Sequence, residues 1–88
     1  KLKYIKHLSE AGDDVLLVSG SDKLHNARSI VEDLISSGQS VFDRFTATKA
    51  QTLWYYESLS KIFEEKGTPI ARALKDAVNR MKTLSELS

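Results

Sequence analysis

The run Val15 to Leu34, VLLVSGSDKLHNARSIVEDL, is the longest apolar-periodic stretch of the chain and carries an aspartate inside its apolar half. At about 100° per residue, Leu16, Leu17, Leu24, Ala27, Ile30, Val31, Leu34 and Ile35 fall on one broad helical face. Asp22, Asn26 and Ser29 fall on the other. The pattern predicts a helix packed along one flank and polar along the other. Asp22 and Asn26 then lie one turn apart and can address one ligand.

The residues around this run set its limits. Asp13 and Asp14 offer an N-cap and a favourable negative charge at a helix start. From Asp14 to Ser36 such a helix extends roughly 35 Å, enough to cross a small domain. The Gly20-Ser21 pair in its interior costs about 1 kcal/mol of helix propensity. A cost of that kind implies close packing, or a local bend just before Asp22.

On the N-terminal side, Leu2, Ile5, Leu8 and Ala11 recur at helical spacing with Tyr4 beside them, so residues 1 to 11 read as a short amphipathic helix stopped by Gly12. On the C-terminal side, residues 36 to 40 read as a turn, and Val41, Phe42 and Phe45 pin the next segment to the core. Thr46 or Thr48 can cap a further helix running through Ala50, Leu53, Trp54, Leu59, Ile62 and Phe63 to Gly67. Thr68-Pro69 then restarts the chain, threonine as N-cap and proline at the first helical position. Ile70, Leu74, Ala77, Val78, Met81 and Leu84 form the cleanest helical stripe of all. No period-two strand and no internal repeat interrupts the series. The expected fold is therefore all-α, a bundle of about four helices in a single domain of 88 residues.

Composition narrows the functional classes. Thirteen Lys and Arg against twelve Asp and Glu leave a net charge of +1, and the basic residues form no run, so nothing favours nucleic acid as a partner. The chain has no cysteine, which excludes disulfides, zinc-thiolate sites and thiol chemistry and fits a reducing compartment. Its longest apolar run, Val15 to Val18, is far short of a membrane span. A cytoplasmic location is the default expectation. The start at Lys1, without methionine, suggests a piece of something longer.

Few residues carry candidate chemistry. An aspartate on a packed helix needs compensation, either from a lysine, an arginine or solvent, or from a hard divalent cation whose other ligands lie elsewhere. Asp22 stands in that position. His25 follows one turn later but reads more simply as a surface or hydrogen-bonded histidine, and His7 is less constrained still. Asn26 can donate and accept toward a sugar hydroxyl or base edge, or toward a neighbouring loop. In Trp54-Tyr55-Tyr56 at least one ring belongs to the core, since consecutive helical positions point in different directions. Arg44 and Lys49 lie where a phosphate clamp near backbone amides can form, or are simply solvated. No glycine-rich phosphate loop, HExxH motif or serine-based triad is present, and no catalytic residue is assigned.

The segment SGSDKLHNARSI, preceded by an apolar run and followed by VFDRF and TKAQTLWYYESL, resembles the later half of an HD-domain metal-dependent phosphohydrolase of the alarmone, or (p)ppGpp, hydrolase branch. The resemblance covers residues 1 to about 65 and centres on DKLHN. It implies that Asp22 is one ligand of a divalent metal, with manganese the expected ion, and that Asn26 contacts the substrate nucleoside. Lys49 is the matching basic residue for substrate phosphate. It further implies cleavage of pyrophosphate from a guanosine polyphosphate, or another phosphorylated nucleotide, by a metal-activated water. Two departures stand out. Gly20-Ser21 replaces the family's Leu-Ala, and no His-Asp doublet or upstream ligand histidine occurs in the chain. The 88 residues are thus expected to be the C-terminal helical portion of such an enzyme, inactive alone and completed by an N-terminal HD half or a second chain. The competing expectation is a non-catalytic helical packing or interaction module.

Overall fold

The computed structural model describes residues 2–44 and 48–86, and among them the fold is all-α. Four α-helices follow in order: α1 (Leu2–Ser9), α2 (Asp13–Ser37), α3 (Lys49–Glu65) and α4 (Ala71–Glu86), with a 3-10 segment, Gly38–Arg44, between α2 and α3. The expected four-helix bundle is therefore present. Among these residues no helix is long and apolar enough to cross a membrane.

α2 dominates the architecture. Its 25 residues rise about 37 Å, which matches the longest dimension of the molecule, 38 Å. It begins differently from expectation: Gly12 occupies the N-cap with no side-chain capping bond, and Asp13 and Asp14 both lie inside the first turn. The two carboxylates thus act on the unpaired amide end of the helix through charge and not as caps. At the other end Gly38 takes φ 66°, and its amide donates to the Leu34 carbonyl.

Two contacts fix the direction of the long helices. Gly20 of α2 lies against Ile70 just before α4, while Gln39, just past α2, donates to the Ser85 carbonyl in the last turn of α4. α2 and α4 therefore run side by side in the same direction. Phe63, near the end of α3, also meets Gly20, and Lys49 at its start reaches Ser85, so α3 runs opposite to both. α4 packs against both long neighbours, whereas α2 and α3 touch each other only sparsely. α1 lies against α3 and inserts the fully buried Leu8.

The predicted core is largely in place. Leu16, Leu24, Ala27, Ile30, Val31 and Leu34 from α2 join Leu59 and Phe63 from α3, Leu74, Ala77, Val78 and Met81 from α4, and Val41 and Phe42 from the 3-10 segment. Phe45 and Thr46, and the side chain of Arg44, lie outside the described residues. Leu17 and Ile35 depart from expectation, each 60% exposed, and Leu2 is exposed as well. α2 meets α4 along a stripe narrower than its apolar face, so the flanking leucine and isoleucine remain uncovered.

Gly20 explains the tolerated cost in the first third of α2. A Cβ there would sit 2.7 Å from Ile70 Cγ2 and 3.3 Å from Phe63 Cε1, so the glycine is the point of closest approach to the α3–α4 corner. Close packing, one of the two anticipated explanations, accounts for it.

Thr48 caps α3 with a full capping box: its hydroxyl accepts from the Gln51 amide at 3.1 Å, and its own amide donates to Gln51 Oε1 at 2.9 Å. The restart at Thr68-Pro69 differs from prediction. The Thr68 hydroxyl donates backwards to the Phe63 carbonyl at 3.0 Å, joining Gly67, at φ 68°, in closing α3. Pro69 sits in the connecting turn, and α4 starts at Ala71 with its first helical bond from the Leu74 amide to the Ile70 carbonyl.

Candidate functional site

The polar flank of α2 meets α1 and α3 through aromatic residues. Asp22 projects from α2 with its side chain 64% exposed, and Lys23 Nζ approaches its Oδ2 at 3.7 Å. The lysine is held from a second direction. Its side chain is only 18% exposed, and its ammonium lies 4.9 Å from the centre of the Tyr4 ring, within range of a cation–π attraction. Lys23 thus spans α2 and α1 with its apolar stem buried and its charge between a carboxylate and a ring.

On the α3 side, Tyr55 and Tyr56 stack edge to face with centroids 5.6 Å apart. Burial pushes the Tyr56 phenol up to about 12, with smaller contributions from Tyr55 and from the charge of Asp22. Burial also raises the Tyr55 phenol, followed by the influence of Tyr4. These electrostatic links put Tyr4, Asp22, Lys23, Tyr55 and Tyr56 in one neighbourhood where α1, α2 and α3 converge. Trp54, the first of the three consecutive aromatics, points outward and is half exposed, while Tyr56 belongs to the core.

Asn26 follows one turn after Asp22 and is half-buried. The two residues are thus one turn apart on a continuous helix. Lys49 lies elsewhere. At the first turn of α3 its ammonium donates to the Ser85 carbonyl at 2.6 Å. Along α3 it stands about 10 Å from Tyr56, judged from the helical rise over seven residues. It closes the end of the bundle where α4 finishes, and in this arrangement its charge serves the last turn of α4. His25 is exposed on the outer face of α2, and His7 on α1.

The residues present do not complete a metal site. Among the described residues no three His, Cys, Asp or Glu side chains come together in a way that holds an ion. Asp22 is a single accessible carboxylate, whereas a divalent cation takes several oxygen ligands. Other surface concavities carry no stronger chemistry. The groove of about 570 Å³ between α3 and α4 is lined by charged residues, among which Lys82 pairs with Glu57 at 3.2 Å and Lys75 with Glu64 at 3.5 Å.

Sequence reasoning did not foresee the Tyr4–Lys23 contact or the closeness of Tyr56 to Asp22. Both depend on how α1 and α3 fold back onto α2, and no spacing along the chain encodes that. Comparison of the chain with protein-family models, with curated proteins and with solved structures returns no match.

Proposed function

We propose that this chain is the later, helical portion of an HD-type metal-dependent phosphohydrolase acting on a guanosine polyphosphate of the (p)ppGpp kind. In this reading Asp22 supplies one ligand to a divalent cation such as manganese. Asn26, one turn on, meets the nucleoside. Lys49 is the weakest member of the set, because reaching a phosphate requires it to leave the Ser85 carbonyl. The remaining ligands belong to an N-terminal HD half or a second chain, and no catalytic step is assigned to the residues described.

The observation that carries this reading is the DKLHN segment with Asp22 exposed on α2. The lysine and solvent compensation that an unliganded aspartate needs is also present, since Lys23 lies at 3.7 Å, and an ion would have to compete with it. One turn before Asp22 on the same helix Val18 is 72% exposed, and Val15 and Leu17 are uncovered too. An open carboxylate with exposed Val18 and Val15 on the same side of the helix suits a ligand that faces another segment of polypeptide.

The test is hydrolysis of guanosine tetraphosphate with Mn²⁺ by the polypeptide encoded by the full reading frame containing these residues, compared with its Asp22→Ala variant. Joint loss of bound metal and of pyrophosphate release supports the assignment. Retention of both rejects it. Activity on other phosphorylated nucleotides, with guanosine tetraphosphate left intact, keeps the metal role and changes the substrate.

The same exposed apolar residues favour a second reading, a non-catalytic helical interaction module. It predicts that no part of the full-length protein binds manganese through Asp22.

A further inference from the structure

We infer that the N-terminal half of α2 is a docking face for a basic amphipathic helix of a partner protein. The inference goes beyond the phosphohydrolase reading and does not depend on Asp22 holding an ion. Val15, Leu17 and Val18 are all exposed within the first two turns of α2, an unusual density of large apolar side chains on an open helix. Isolated exposed residues need no explanation, but Val15 and Val18 lie one turn apart on the side of α2 turned away from the core, with Leu17 further round toward the flank that borders α4, so apolar surface is open there over more than one row.

Charge identifies the occupant. From Ser9 to Asp22 the chain carries Glu10, Asp13, Asp14 and Asp22 and not one lysine, arginine or histidine. All four carboxylates are exposed and flank the apolar residues along α2 and just before it. Asp14 and Asp22 each stand one turn from Val18 on the same side of α2, so acidic and apolar side chains alternate there, and this matches a helix that carries lysine or arginine among its exposed apolar residues. The same carboxylates oppose an anionic membrane surface. A second copy of the chain is a poorer occupant: α1 bears Lys3, Lys6 and His7, but Leu8 is buried and Tyr4 and Ile5 pack on the core, leaving Leu2 as the one large exposed apolar side chain among its described residues.

The test titrates the chain into a fluorescein-labelled peptide of about fourteen residues, four turns of helix, built from leucine and lysine at amphipathic spacing, with a leucine/glutamate peptide as comparator. Anisotropy is expected to saturate with the lysine peptide and not with the glutamate one, and the affinity should fall as salt rises. Val18→Asn and the double variant Asp13→Asn/Asp14→Asn should each weaken binding about tenfold. Glu32→Gln/Asp43→Asn, equal in charge removed but toward the opposite end of α2, where both residues are exposed, should leave it unchanged. Circular dichroism confirms that each surface variant remains helical. Equal loss in the two double variants, or no saturable binding, overturns the inference. So does a concentration-dependent dimer in sedimentation that Val18→Asn dissolves, which assigns the face to a second copy, or binding to phosphatidylglycerol vesicles in preference to the peptide. Because Asp13 and Asp14 are not proposed metal ligands, failure here leaves the assignment of Asp22 standing, and failure of that assignment leaves this one.

Discussion

Gly20 and Ile70 meet so closely that a methyl group on the glycine would lie 2.7 Å from Ile70 Cγ2. The contact joins the first third of the longest helix to the turn that launches α4, and it explains why α2 keeps a poor helix former in its interior. Gly20→Ala gains about 1 kcal/mol of helix propensity but meets an overpacking cost of about 1–3 kcal/mol. Net destabilisation of about 1 kcal/mol is expected in urea unfolding. In an Ile70→Ala background most of the collision disappears, and Gly20→Ala should become neutral or stabilising. An unchanged effect in both backgrounds would place the obstruction elsewhere.

Lys49 gives a second expectation. Its ammonium and the Gln39 amide both donate to the Ser85 carbonyl, one of the acceptors left without a helical partner at the end of α4. Lys49→Met removes a charge-assisted bond at a partly exposed site and should cost about 1 kcal/mol. For a chain of this size that corresponds to a fall in melting temperature of about 4–8 °C. Addition of phosphate should not restore the loss.

Tyr56 sets an alkaline limit. Its folded-state pKa, about 12, lies above the ordinary value of 10.0. The folded chain therefore favours the protonated phenol, a contribution complete below pH 10 and lost as pH rises toward 12. The loss amounts to about 1.4 kcal/mol per pH unit, about 2 kcal/mol across the window. Stability measured from about pH 9 to 12 should fall more steeply in the natural chain than in Tyr56→Phe. Parallel curves would show that the phenol contributes nothing to the pH response.

Asp22 should behave as a residue kept for a purpose other than folding. Asp22 itself is open to solvent and its contact with the more buried Lys23 is loosely spaced, so Asp22→Ala should alter stability by no more than about 0.5 kcal/mol. A denaturation midpoint lowered far beyond that would make the carboxylate a structural partner of Lys23 and the Tyr4 ring.

Local chemistry carried much of the fold. Two threonines offered themselves as the start of α3, and Thr48 takes the role because Gln51, three residues on, completes both halves of a capping box. Gly12, Gly38 and Gly67 likewise mark helix ends, the last two through a backbone conformation that favours glycine. Leu17 and Ile35 were less legible, because hydrophobic periodicity gives the direction of a face but not the width its neighbour covers. Thr68 shows a similar limit: its hydroxyl can serve the helix behind or the helix ahead, and the nearby Phe63 carbonyl takes it. At the candidate site, the exposed Asp22 and the adjacent Asn26 follow from helical spacing. Tyr4 beside Lys23 does not, since it depends on where α1, packed on α3, is set relative to α2.

The unequal ends of α4 bear on how the molecule opens. Thr68 has turned its hydroxyl away from the helix that follows, whereas Ser85, at the opposite extremity, is gripped by side chains from two other segments. Amide protons near Ala71 should exchange with solvent ahead of those near Met81, so that this helix peels from its beginning while its far end stays clasped.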